Sequence, residues 1–328
     1  MYLPLLAVMA VTLGVAWRFC RRIWSRFNRP DRARLWLEAA IALALALALG
    51  VTTFQRNAQY RTAKSIWADA VAKRPHNARA ETSLALALVD EGKLTEAIEL
   101  FNRVLRANPK YGLGHYDLGS ALQSQGRIEE AVQQYQQAIE WQPDLARPRY
   151  NLGCIFASQG KFAEAIEQYQ QALDLDPYAY EVRNNLGIAL ASLGKLDEAI
   201  AQFQRAIELR PDVVEAHVNL GHARARQQQF VDAIQQYKEA LRLDPNNAGT
   251  HYDLAIAMAN SGNLAEAAEE LRKAARLNPD LPDVHSALAR VLEKQGLHEE
   301  AQRDIVEKQQ HTESVPTGGP RAISGPVP

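Results

Sequence analysis

Little in this sequence is suited to chemistry. It has no glycine-rich phosphate loop, no HExxH, and no Ser-His-Asp or His-Cys-Asp arrangement at a telling spacing. No catalytic residue, cofactor or metal is therefore expected. Only two cysteines are present, Cys20 and Cys154. The membrane reading given below puts them on opposite faces of a bilayer, so they do not pair; Cys20, beside Arg21 and Arg22, is either inert filler or a lipid acceptor. No large excess of charge of one sign exists either, since the 328 residues sum to −1.

That balance hides a division. Up to residue 77 the chain has 12 Lys and Arg against 3 Asp and Glu, and after it 25 against 35. An acidic majority argues against nucleic acid as a partner.

What is present in abundance is a period. Proline recurs every 34 residues from Pro75 to Pro279, alanine from Ala63 to Ala301, and leucine from Leu84 to Leu288. Such a period over some two hundred residues means a stacked-repeat architecture. Within one unit, Leu186, Ala189, Leu190 and Leu193 draw one helical stripe, and Leu196, Ala199, Ile200, Phe203, Ala206 and Ile207 draw a second. Gly194 supplies the left-handed turn between them, and Pro211 stops the second helix. The Asp or Asn after the proline (Asp212, Asn246, Asp280) is read as the next helix's N-cap. Gly187 and Ala199 are small where two helices cross, leaving room for Phe203.

These residues resemble the tetratricopeptide repeat: Leu-Gly in the first helix (Leu152-Gly153, Leu186-Gly187), the Ala and aromatic of the second (Ala165 and Tyr169, Ala199 and Phe203), a second Ala and the closing Pro. The resemblance implies an all-α, right-handed solenoid with seven repeats over 78–315; the tail at 316–328, rich in Pro, Gly and Ser without periodicity, is expected to be disordered. Departures include Ala85 for the glycine of the first unit and Gln228 at the turn of the fifth.

Ahead of the repeats, residues 2–17 and 35–54 are strongly apolar around a loop, 18–34, that holds seven arginines. Two transmembrane helices are the favoured reading; a buried helical hairpin, or a signal-like segment around 35–50, are alternatives. The arginines would face the cytoplasm and leave the repeats extracytoplasmic, in an integral membrane protein bound to the lipid bilayer. Ala63, Trp67, Ala70 and Pro75 keep the repeat's register, so 55–77 is expected to be a half-repeat junction. That junction resembles bacterial multi-spanning membrane proteins with tetratricopeptide repeats and the related O-mannosyltransferase type, which implies a truncated or anchor-only relative.

Candidate binding residues come from the repeat. His115, His217, His251 and His285 share one column a full repeat apart, too far to share a metal at about 2.1 Å; they read as the large residue packed between helices. Asp117, Asn151, Asn185, Asn219 and Asp253 share another, one residue before the leucine. Stacking would line them into a ladder able to bond an extended peptide backbone, as such asparagines do in the superhelix of O-GlcNAc transferase, which the arrangement resembles. The opposing reading is that they only support neighbouring turns. Tyr116, Tyr150, Tyr252, Arg147, Arg183, Arg226 and Arg290 occupy nearby first-helix positions that could set specificity. The function expected is a membrane-anchored scaffold binding peptide segments of partner proteins, without catalysis; the alternative is an accessory subunit or truncated relative of a membrane glycosyltransferase. The sequence does not fix an oligomeric state.

Overall fold

The computed structural model describes Arg18 and residues 40–51, 62–281 and 283–301. Among them every regular element is an α-helix. The chain divides into two compact units, Met1–Glu91 and Gly92–Pro328. The expected span 2–17, the basic loop beyond Arg18, the tail 316–328 and the end of the seventh repeat lie outside the described residues.

In the first unit, residues 40–51 are helical with exposed side chains such as Leu43 and Leu47. Helices α1 (Ala63–Lys73) and α2 (Ala78–Asp90) follow and pack together. The expectation of an integral membrane protein with extracytoplasmic repeats is corrected here. Among the described residues no helix is long and apolar enough to cross a membrane. Of the expected span 35–54 only 40–51 is described.

The second unit runs α3 (Leu94–Ala107), α4 (Gly112–Ser124), α5 (Ile128–Trp141), α6 (Ala146–Ser158), α7 (Phe162–Leu175), α8 (Tyr180–Ser192), α9 (Leu196–Leu209), α10 (Val214–Arg226), α11 (Phe230–Leu243), α12 (Ala248–Asn260), α13 (Leu264–Leu277) and α14 (Val284–Lys294). From α4 to α13, each even-numbered helix pairs with the next to form a repeat, and each repeat packs on the one that follows. The first helices also touch one another in the series α6, α8, α10, α12, α14, which gives them a common face.

Four of the five pairs are locked by a ring seated on a glycine; in the pair of α12 and α13, Ala255 and Leu271 take those two places. Tyr135, Tyr169, Phe203 and Tyr237 are at most 2% exposed. A Cβ on Gly119, Gly153, Gly187 or Gly221 would fall 2.5–2.7 Å from the ring carbons of the facing aromatic, so only glycine admits the ring at this depth. Ala165, Ala199 and Ala233 have no exposed surface at all. The turn inside each repeat needs positive φ, as Gly194 shows at +77°. Gln228 holds φ 62° in the fifth repeat without glycine's freedom.

Two packing expectations change. Asp212 pairs with Arg210 instead of capping α10, whose N-cap is Val213. In the next repeat the capping side chain is Asn247, one place beyond Asn246, accepting from the Thr250 N–H. The column containing the histidines is a polar clasp, not apolar filler. His115, His217 and His251 put Nε2 2.9–3.2 Å from the carbonyl of the proline six residues back. Their Nδ1 lies 2.6–3.0 Å from Gln134, Gln236 and Glu270 on the second helix of the same repeat. Each clasp ties the turn between repeats to the helix pair that follows, satisfying a carbonyl that the proline leaves outside the helix.

Ala165→Leu tests the helix crossing. Overpacking there should cost roughly 1–3 kcal/mol, read as a lower urea midpoint; an unchanged midpoint would contradict a close crossing at Ala165.

Candidate functional site

The face made by the first helices contains a cleft of about 510 Å³ spanning α8, α10 and α12. Its walls are Ile188, Ala191, Ala223, Ile256 and Ala257, with the rings of Phe203 and Tyr237 reaching it from the second helices. Asn219, His222, Arg226, Tyr252 and Asp253 supply polar groups. The repeat explains the mixture: small residues at the helix crossings open the space, while positions that do not pack are free to vary.

Four of the residues singled out in the sequence meet in this cleft: Asn219, Arg226, Tyr252 and Asp253. Asn219 donates to Asn184 Oδ1 at 3.0 Å. Arg226 donates from Nη1 to the Ala191 carbonyl at 2.7 Å and makes no ion pair among the described residues. Asp253 Oδ2 lies 2.8 Å from His222 Nε2, joining α10 to α12.

The remaining ladder positions lie on earlier repeats. Asn151 donates to the Tyr135 hydroxyl at 3.0 Å, and that hydroxyl donates to Gln123 at 2.7 Å. Asn185 donates to the Tyr150 hydroxyl at 3.1 Å and approaches Cys154 Sγ at 3.7 Å. Tyr116 and Tyr150 tilt against Tyr135 and Tyr169, each with ring centroids 6.1 Å apart. Desolvation, partly offset by the Asn151 hydrogen bond, pushes the Tyr135 phenol up to about 12.

Two of the candidate arginines are engaged elsewhere. Arg183 stands in the histidine column and repeats the clasp, donating to the Pro177 carbonyl at 2.8 Å and to Gln202 at 3.2 Å. Arg290 is exposed and bonds the Ser286 carbonyl of its own helix.

Asp117 is half-buried and makes no hydrogen bond or ion pair among the described residues. Burial pushes its carboxyl up to about 6, a rise that the charge of Arg147 opposes.

His222 was not singled out by the sequence. It occupies the position after the glycine, where successive units carry Ser120, Cys154, Ile188, His222 and Ile256. The absence of a recurring residue type there was the available signal, because positions fixed by packing repeat and this one does not. Among the described residues no group of three or more His, Cys, Asp or Glu could hold a metal.

One tetratricopeptide-repeat family model matches residues 50–112 and 184–248, a second matches 224–291 and 261–303, and a third matches 113–177. Together they take in most of the chain, which belongs to the tetratricopeptide-repeat proteins. Among solved structures, YrrB, described as a TPR protein with an unusual peptide-binding site, is 24% identical with a TM-score of 0.52, covering 57% of this chain and 96% of its own. A chain of the APC/C hetero-tetramer Cut9–Hcn1 is 22% identical with a TM-score of 0.55, covering 69% of this chain and 45% of its own. These likenesses are of fold. No curated protein matches the sequence.

The raised pKa of Asp117 has a consequence for stability. A carboxyl that binds its proton more tightly folded than unfolded loses stability for the fold as pH rises from about 4 to about 6, and the whole loss is present above that range. Asp117→Asn should therefore stabilise the protein at pH 7.5, by roughly 1–2 kcal/mol after allowance for solvent screening. The difference should vanish near pH 3.5. Urea midpoints for both proteins at the two pH values check this, and equal midpoints at pH 7.5 would contradict it.

Proposed function

We propose that this protein is a binding scaffold that holds extended segments of partner proteins along the face formed by its first helices. The observation that carries this reading is the cleft across α8, α10 and α12, with apolar walls for a side chain and polar groups placed beside them. A concave site of mixed character on a rigid helical stack is suited to peptide capture.

The ladder fits the same reading. Asn151, Asn185 and Asn219 each spend an amide N–H on a neighbouring side chain. Their Oδ1 atoms accept no hydrogen bond among the described residues, so each side chain is held in place with an acceptor to spare. A row of fixed acceptors can meet the N–H groups of an extended backbone, while the cleft selects among side chains. The peptide-binding site named for YrrB is consistent with this use of the fold. The alternative, an accessory subunit of a membrane glycosyltransferase, gains no support from the family matches or the similar structures.

The test is selection of about twelve-residue peptides from a phage-displayed random library, followed by fluorescence anisotropy on the full chain. Replacing Asn151, Asn185 and Asn219 together by Ala should weaken the selected peptides about tenfold or more, with the helical circular dichroism retained. Undiminished binding would assign the row to neighbouring turns alone.

A further inference from the structure

We infer that Asp117 forms a subsite for a basic side chain, lysine or arginine, of the bound segment; this rests on the groove reading above and specifies it. The five ladder positions are not equivalent. Asn151, Asn185 and Asn219 donate to Tyr135, Tyr150 and Asn184, and Asp253 meets His222. Asp117 alone of the five has no hydrogen-bonding or ion-pairing partner among the described residues, although it is half-buried on α4.

Its neighbours define what would relieve it. Tyr116, next to it in the chain, lies against Tyr135 of α5. Tyr111, on the turn leading into α4, feels the negative charge of Asp117, which adds to burial in raising its phenol. Arg147 of α6 is exposed and near enough to favour the carboxylate, yet the net effect of the surroundings is still to raise Asp117 to about 6. A neutral ligand laid over this carboxyl would desolvate it further, and an acidic one would repel it. An ammonium or guanidinium would supply the missing partner. Tyr111 and Tyr135, both held above the ordinary phenol value, stay neutral between pH 5 and 7.5, so the change of charge there falls to Asp117.

The peptides selected on the full chain provide the probe. Those that bind should carry Lys or Arg at one fixed position, and changing that residue to Gln should weaken binding about tenfold. Asp117→Asn should impose the same loss on the basic peptide and none on its Gln counterpart. Because only the carboxylate form pairs with the cation, affinity for the basic peptide should fall about tenfold from pH 7.5 to pH 5, and Asp117→Asn should remove that dependence. Peptides that bind without a basic preference, and equally well to Asp117→Asn, would overturn the subsite and leave the groove reading standing. If nothing is enriched on the full chain, the groove reading itself fails, and the subsite with it.

Discussion

The second unit depends on one contact repeated along the stack: an aromatic ring driven so far between two helices that the facing residue has to be glycine. At Gly187 the ring is Phe203; at Gly119, Gly153 and Gly221 it is a tyrosine. Burying such a ring removes roughly 150–250 Å² from water, and lack of a Cβ on the partner lets the backbones close around it. The zero exposure of Ala165, Ala199 and Ala233 belongs to the same crossing. With four pairs closed in this way, and α12 and α13 closed by Ala255 and Leu271, only the junction between pairs remains to be set. There the clasp of His115, Arg149, Arg183, His217 and His251 reaches the carbonyl of the preceding proline.

This division of labour explains how one chain can be both rigid and free to vary. Packing claims the leucines, alanines, glycines and rings; the clasp claims a further column. What remains on the first helices is the face bearing Asn219, His222, Arg226 and Asp253. The columns of His222 and Arg226 change from repeat to repeat without disturbing the stack, while the column of Asn219 stays Asn or Asp from Asp117 to Asp253. A scaffold of this construction can acquire a ligand preference by substitution on that face alone.

Much of the repeat was legible in the sequence because packing leaves periodic marks. The period of the prolines and alanines, the glycine beside the ring and the left-handed turn at Gly194 all follow from short-range sterics acting on local sequence. Positions governed by polar contacts across repeats were less legible. Arg183 resembled a groove residue because its partners, Pro177 and Gln202, are brought together only by the fold. Asp212 resembled a cap, but Arg210 takes it and Val213 begins the helix. His222 left no mark, since its column holds Ser120, Cys154, Ile188, His222 and Ile256 in turn. The apolar run at 35–54 has the composition of a membrane span, yet among the described residues no helix is long and apolar enough to be one.

A double-mutant cycle on Gly187 and Phe203 tests the central contact most directly. Gly187→Ala should destabilise the chain by about 2 kcal/mol in urea unfolding, since a Cβ would stand 2.5 Å from the ring. In a Phe203→Leu background most of that penalty should disappear, because the smaller side chain makes room for the methyl group. Equal penalties in both backgrounds, or none in either, would contradict the account of a stack held together by rings seated on glycine.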